Sequence, residues 1–254
     1  MRMKLMSGLV MAVALGAAAH ATEFVNNGGF ETLAGGSPSG SFEYDPLFPS
    51  TAGDVVGWAS QPGNNAYNLL YTVSTATGPA EPLNRWGVPG QTLWALPSNT
   101  ATMNIGNNFM ALDGDANARG ALTQTINGLT AGTVYTLTFD WAADQLRGRT
   151  GATTELLQVS LGSEMHATGT LNDPSQSATI WHQATMTFTA TGPSEVLSFL
   201  SIGTPDGLPP MALLDNVSLT NTVPEPATWG LMLIGVAAIG ASLRLRRRTA
   251  SAVA

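Results

Sequence analysis

The 254-residue chain contains no cysteine. Disulfide scaffolds, thiol nucleophiles, Cys-ligated zinc and iron–sulfur clusters are excluded together. Charge is sparse: Asp, Glu, Lys and Arg make up 11 % of the residues, against about 25 % in an average soluble protein. Positive charge is almost confined to the two ends, with Arg2 and Lys4 at the start and Arg244, Arg246, Arg247 and Arg248 near the finish. Between residues 22 and 223 four Arg and no Lys face sixteen carboxylates, a balance of −12. A body of that sign repels polyanions, which excludes nucleic acid as a partner, and leaves carboxylates for a hard cation. There are three histidines, His20, His166 and His182, and no His-Glu-x-x-His, Gly-x-Ser-x-Gly or Gly-rich phosphate loop. The commoner catalytic motifs are therefore missing.

Long hydrophobic runs occur at the ends alone. Arg2 and Lys4 precede the apolar stretch Leu5 to Ala18, and Ala19-His20-Ala21 places small residues at −3 and −1 before Thr22. That order reads as a secretory signal over residues 1–21, exported by the Sec machinery, with cleavage after Ala21. A transmembrane anchor is the alternative, disfavoured by the short segment and the polar Thr22-Glu23 that follow it. At the other end Val223-Pro224-Glu225-Pro226 is followed by an apolar stretch at 227–243 and then by the Arg cluster. Seventeen helical residues would cover roughly 26 Å, a minimal bilayer span. The arginines would stay cytoplasmic by the positive-inside preference, with Trp229 at the opposite interface.

The order Pro-Glu-Pro, short apolar helix, Arg cluster resembles the PEP-CTERM sorting signal of Gram-negative bacteria that make exopolysaccharide, a signal also called the ice-binding protein C-terminal domain. The resemblance covers residues 223–248 and implies recognition by an exosortase, with cleavage near Pro224 to Pro226, transient residence in the inner membrane and final sorting to the cell surface or matrix. It implies nothing about ice binding in the body. A plain C-terminal anchor is the alternative reading.

Residues 22–222 carry strand signals. Tyr135, Leu137, Phe139 and Trp141 alternate with Thr136, Thr138 and Asp140, and His182, Ala184, Met186 and Phe188 with Gln183, Thr185 and Thr187. Period two with β-branched residues argues half-buried strands. Further strands are expected at Leu122–Ile126, Leu157–Leu161, Val196–Ile202 and Met211–Leu219, separated by turn signals such as Asn127-Gly128 and Asp206-Gly207. Many short strands at this spacing predict a single β-sandwich. Residues 32–110, rich in Gly, Ser and Pro, read as long loops with short strands near Val55–Trp58 and Tyr67–Ser74.

The opening Phe24-Val25-Asn26-Asn27-Gly28-Gly29-Phe30-Glu31 with Gly57-Trp58, and the closing Leu213-Leu214-Asp215-Asn216-Val217-Ser218-Leu219, resemble the first and last segments of galactose-binding-like jelly rolls. Leu112-Asp113-Gly114 and Gln124 to Trp141 resemble the middle strands of DUF642-type exported proteins. The resemblance implies an all-β jelly roll, and a structural calcium held by Glu31, Asp215 and backbone carbonyls. Ca²⁺ takes six to eight oxygens, and two carboxylates distant in sequence would tie the chain ends together. The alternative is that Glu31 caps backbone amides and Asp215 opens a turn. Asp113 and Asp115 read as a solvated turn in preference to a second oxygen cluster.

A sugar site needs an aromatic platform with planar polar groups beside it. Trp86, Trp94, Tyr71, Tyr67 and Arg85 are the candidate wall; Trp58 and Trp141 lie on apolar strand patterns and read as core, and Trp181 falls on a polar face. Asp140 and Asp144 flank Trp141 and form a carboxylate pair that a glycosidase reading could use, although sixteen carboxylates make such pairs common by chance. His166 and His182 read as surface or edge residues, and the Asn216-Val217-Ser218 sequon as chance. The whole predicts an exported, non-catalytic polysaccharide-binding protein of the cell surface or biofilm matrix. The alternatives are a glycan hydrolase and a structural coat or adhesion protein without a sugar site.

Overall fold

The alternation read between residues 108 and 221 becomes real strands, and their pairing builds two antiparallel sheets. The computed structural model describes residues 21–33, 42–43, 55–60, 67–74, 76–77, 92–221, 230 and 234–240. The chain divides into two units, Thr22–Thr222 and the residues outside it. In the second unit the described residues 230 and 234–240 are helical. Among the described residues no helix is long and apolar enough to cross a membrane. Most of the expected signal segment 1–21 and of the 227–243 helix, with Ala19, Val223 to Pro226 and Arg244 to Arg248, lies outside the described residues.

The strands of the larger unit are β1 (Phe42–Glu43), β2 (Ala59–Ser60), β3 (Asn68–Thr72), β4 (Asn108–Asp113), β5 (Leu122–Asn127), β6 (Val134–Gln145), β7 (Thr153–Leu161), β8 (Glu164–Ala167), β9 (Leu171–Asp173), β10 (His182–Thr189), β11 (Ser194–Thr204) and β12 (Pro210–Asn221). Sheet I runs β1-β3-β4-β12-β6-β10; sheet II runs β2-β5-β11-β7-β8, with β9 also on β7. This is the expected all-β jelly-roll sandwich.

The layer between the sheets holds Leu137, Phe139 and Trp141 from β6, Leu157 and Val159 from β7, Phe199 from β11 and Leu219 from β12, joined by Trp58 and Phe30. Phe199 sits edge-on to Phe139 at 5.2 Å and tilted to Trp58 at 6.2 Å. Burial of such side chains, each stabilising by about 1.5–3 kcal/mol, is what holds the sheets face to face.

The outer face of sheet I departs from the simple alternation. β6 alternates only in its first half and is buried on both faces from Phe139 onward. The reason is a second apolar cluster on that face, made of Leu69, Tyr71, Phe109, Ala111, Ala142, Leu146, Met211 and Leu213. Leu93, Leu96, Met103, Ile105 and Trp181 complete it. Residues 92–107, expected as loop decoration, thus form the lid of a second core. Trp181, placed by alternation on a polar face, is 2 % exposed and donates its indole N–H to Thr100 Oγ1 at 3.0 Å.

One residue resets the pattern in β12. Inward positions are Ala212 and Leu214 before the break, then Val217 and Leu219 after it. The extra residue is accommodated by a bulge between Asp215 and Ser218, where Asn216 adopts φ 53°. Asn is among the few non-glycine types that tolerate that left-handed conformation. The N-terminal segment lies against this bulge: Val217 N donates to Gly28 O at 3.0 Å, and a Cβ on Gly28 would strike the Val217 carbonyl.

Candidate functional site

Two arrangements in the larger unit have site-like geometry. The first is at the open lip of the sandwich. β10 is the outermost strand of sheet I and β8 that of sheet II, and an open cleft of about 540 Å³ lies where they approach. Its walls include Trp141, His166, Thr168, Gln183, Thr185 and Met186. The polar groups come from strand periodicity: Gln183, Thr185 and Thr187 are the exposed half of β10. His166 is set by two contacts, an edge-on approach to Phe188 at 4.9 Å and Nε2 to Glu164 Oε1 at 3.0 Å. Glu164 also accepts Thr189 N–H on Oε2 at 2.7 Å, so it ties β8 to β10 across the lip. That amide and the imidazole hold the Glu164 carboxyl below its usual range. Among the described residues the lining contains hydroxyls, one amide and an imidazole, with the buried Trp141 behind them, and no carboxylate, although Glu164 bonds to the imidazole.

The second arrangement gathers carboxylates at the bulge. Glu31 Oε1 accepts the N–H groups of Asn107 and, at 3.0 Å, of Asn108. Asp215 Oδ2 accepts Gly106 N–H at 3.1 Å. Both acids therefore close on residues 106–108 from opposite ends of the chain. Asp215 pairs in register with Asp140 on β6, and Asn216 Nδ2 donates to Asp140 Oδ2 at 2.9 Å. Burial, reinforced by the charges of Glu31 and Asp140, pushes Asp215 up to about 7. Burial also raises Asp140, against hydrogen bonds from Asn216 and Gln183. Asp215 Oδ1 and Asp140 Oδ1 are buried without a hydrogen-bond partner. Buried oxygens left in that way suit a hard cation. Among the described residues, however, no three His, Asp or Glu side chains form a ready-made metal group.

A family model described as "Protein of unknown function (DUF642)" matches residues 77–220, more than half of the chain. The chain belongs to the DUF642 family. The model of the PEP-CTERM protein-sorting motif matches residues 222–248, which marks this DUF642 protein as exported and sorted to the cell envelope or surface. No curated protein matches the chain. Among solved structures, TmCBM61 in complex with beta-1,4-galactotriose is 14 % identical with a TM-score of 0.36, over 79 % of this chain and 99 % of that one. A structure described as "CBM4 structure and function" is 15 % identical with a TM-score of 0.33, over 78 % and 99 %. The Family 11 carbohydrate-binding module from Clostridium thermocellum, in complex with a beta-1,3-1,4-mixed-linked tetrasaccharide, is 12 % identical with a TM-score of 0.33, over 72 % and 96 %.

Of the aromatic wall read from the sequence, Tyr67, Tyr71 and Trp94 are among the described residues of this DUF642 protein. Tyr71 is 2 % exposed and stacks on Phe109 at 5.9 Å inside the second core, so no sugar reaches its ring. Trp94 is half-buried, with its indole N–H on Arg149 O at 2.9 Å and the Arg147 guanidinium 5.6 Å from its ring centre. Trp86 and Arg85 lie outside the described residues. Asp113 is not in a solvated turn: it ends β4, is 2 % exposed, and burial lifts it to about 7. Asp115 is also buried, accepting Asn117 N–H at 2.8 Å and the Gly207 amide. Asp140 and Asp144 are buried on the outer face of β6 and neither lines the lip cleft. That cleft is not among the sites legible in the sequence, although the exposed Gln183, Thr185 and Thr187 of β10 are its visible signal.

Proposed function

We propose that this exported DUF642 protein is a non-catalytic carbohydrate-binding module of the cell surface or matrix, holding polysaccharide in the cleft between β10 and β8. The observation that carries this reading is the composition of the cleft: open and about 540 Å³, walled by Gln183, Thr185, Thr168 and His166. Amide and hydroxyl groups match sugar hydroxyls, and an aromatic ring such as the imidazole matches sugar C–H groups. Among the described residues the lining has no Asp or Glu, and Glu164 reaches it only through its bond to His166. Glycoside hydrolysis ordinarily needs two carboxylates astride the scissile bond, so the cleft suits retention in preference to cleavage. Exosortase processing at 222–248 would deliver the module to the place where polysaccharide is laid down.

Glu31 and Asp215 belong to the same reading as a structural calcium site. The unpartnered Asp215 Oδ1 fits a cation, and an ion there would tie the 26–31 segment to β12 and to residues 106–108. This chain's own acids would bind and neutralise it.

The deciding experiment incubates the purified protein with a polysaccharide panel that includes the producing cell's own exopolysaccharide, scoring retention and released reducing ends together. Retention without release, lost in Gln183→Ala and His166→Ala, supports the module. Release of reducing ends makes it a hydrolase. Neither signal on any glycan leaves the structural-coat reading.

A further inference from the structure

At the end of the sandwich beyond Leu157, the inter-sheet layer stops being apolar. On sheet II, Thr153 pairs with Asp173 and Glu155 with Leu171 across β7 and β9. Glu155 also pairs with Gly203, and Leu157 with Ser201, across β7 and β11. Residues two apart share a face, so Thr153, Glu155, Asp173 and Ser201 point into the layer beside one another. Opposite them β6 ends in Asp144-Gln145, and Gln145 shares the inward face of Trp141.

All six side chains are buried: Asp144, Gln145, Glu155 and Ser201 are 0 % exposed, Asp173 1 % and Thr153 2 %. Their partnering is poor. Gln145 Oε1, Asp173 Oδ2 and Ser201 Oγ have no hydrogen-bond partner, and Thr153 and Glu155 have none beyond each other. Buried polar atoms in folded proteins are nearly all satisfied, and a buried charge is costly unless paired. Under-satisfied oxygens on five adjoining inward side chains describe a missing partner, and the two acids among them favour a positive one. Among the described groups acting on the three acids no cation appears. Burial dominates in each, and Asp144 and Glu155 are further raised by the charge of Asp173.

We infer that this DUF642 protein holds a divalent cation of the calcium type between its sheets, coordinated by Glu155 and Asp173 with the neutral oxygens of Thr153, Gln145 and Ser201. Calcium is the match because every donor is a hard oxygen and because Ca²⁺ takes six to eight of them in flexible geometry. A smaller Mg²⁺ would demand near-octahedral order and keep its waters. Two carboxylates balance the charge of one divalent ion. Among the described residues no three His, Asp or Glu side chains form a metal group, and the shell inferred here takes its donors beyond the two acids from neutral oxygens. The site is separate from Glu31 and Asp215, which close on residues 106–108. It ties Gln145 of β6 to β7 and β9 of the other sheet, at the margin of the apolar layer that holds Trp141, Leu157 and Leu171.

The test is equilibrium dialysis of the full-length protein, first against chelator and then against calcium alone, with bound metal counted per chain by elemental analysis. The expected result is that Glu155→Gln combined with Asp173→Asn loses one bound equivalent, whereas Glu31→Gln retains that equivalent. If the wild type binds no calcium, or the double variant binds as many ions as the wild type with the same affinity, the inference is wrong. Circular dichroism reports whether the double variant folds. If it does not, Thr153→Val, which keeps every carboxylate, decides: loss of one shell partner weakens metal binding by about 10–100-fold, and unchanged affinity overturns the site.

Discussion

Asn216 donates its side-chain amide to Asp140 Oδ2 at 2.9 Å while its own backbone stands at φ 53°. The same residue thus supplies the extra step that reverses the alternation of β12 and quiets a buried carboxylate on the neighbouring strand. Asn216→Val places a β-branched side chain in the left-handed region and strips Asp140 of one of its two side-chain donors; a loss of about 2–4 kcal/mol is expected in urea denaturation. Asn216→Gly keeps the backbone conformation and loses only the amide, so its loss is smaller. Equal losses in the two variants would remove the backbone from the explanation.

Burial lifts Asp113 from 3.8 to about 7, with the Asp115 amide acting against it and the Asp115 charge with it. A carboxyl raised on folding binds its proton more tightly in the native state than in the unfolded chain. Its stabilisation is complete below pH 4 and is lost as pH rises through 7. In chelator the melting temperature should fall between pH 5 and pH 8, and Asp113→Asn should flatten part of that fall. Scanning calorimetry at several pH values checks it; a melting temperature that climbs over that window contradicts the assignment.

Trp181 closes the second core, edge-on to Phe109 at 5.8 Å and bonded to Thr100. Truncation to Ala opens a cavity under residues 92–107 and should cost about 3–5 kcal/mol. Trp181→Phe, which removes the N–H and part of the volume, should cost clearly less. Proteolysis of the 92–107 segment, followed over time, should accelerate in the Ala variant first.

Binding at the lip makes a contrast between two tryptophan-bearing regions. Gln183→Ala should weaken polysaccharide retention by about tenfold, the scale of one lost polar contact. Trp94→Ala, whose indole is already committed to Arg149 and Arg147, should leave retention unchanged. Affinity electrophoresis on the retained glycan reads both, and the reverse order would move the sugar site back to the 79–97 region.

The fold was legible wherever one sheet face met water. The first half of β6, β7 and β10 carry clean period-two patterns, and Trp58 and Trp141 fell in the core as those patterns require. It was illegible where both faces are covered. Alternation says which side a residue points to, not what lies over it. Trp181 was therefore assigned to a polar surface and Asp113 to a solvated turn. The lid over them has scattered apolar residues, Leu93, Leu96, Met103 and Ile105, at spacings of neither strand nor helix. The bulge was present in the sequence as a parity change from Ala212 and Leu214 to Val217 and Leu219. Glu31 and Asp215 were found by resemblance, and the structure brings both to residues 106–108. The pair Glu155 and Asp173 has no local signature in the sequence, because its members come from two strands.

β12 lies between β4 and β6 along sheet I, and its far end is flanked by Glu23 beside Thr220. Any pull applied at residue 222 enters that strand lengthwise. Its rows of hydrogen bonds to β6 and β4 then share the load in shear, all at once, instead of opening one by one like a zip. The strand that leads toward the sorting motif is therefore one that meets tension in shear, a mechanical property that would serve the proposed module if it were held at that end while bound to a polymer.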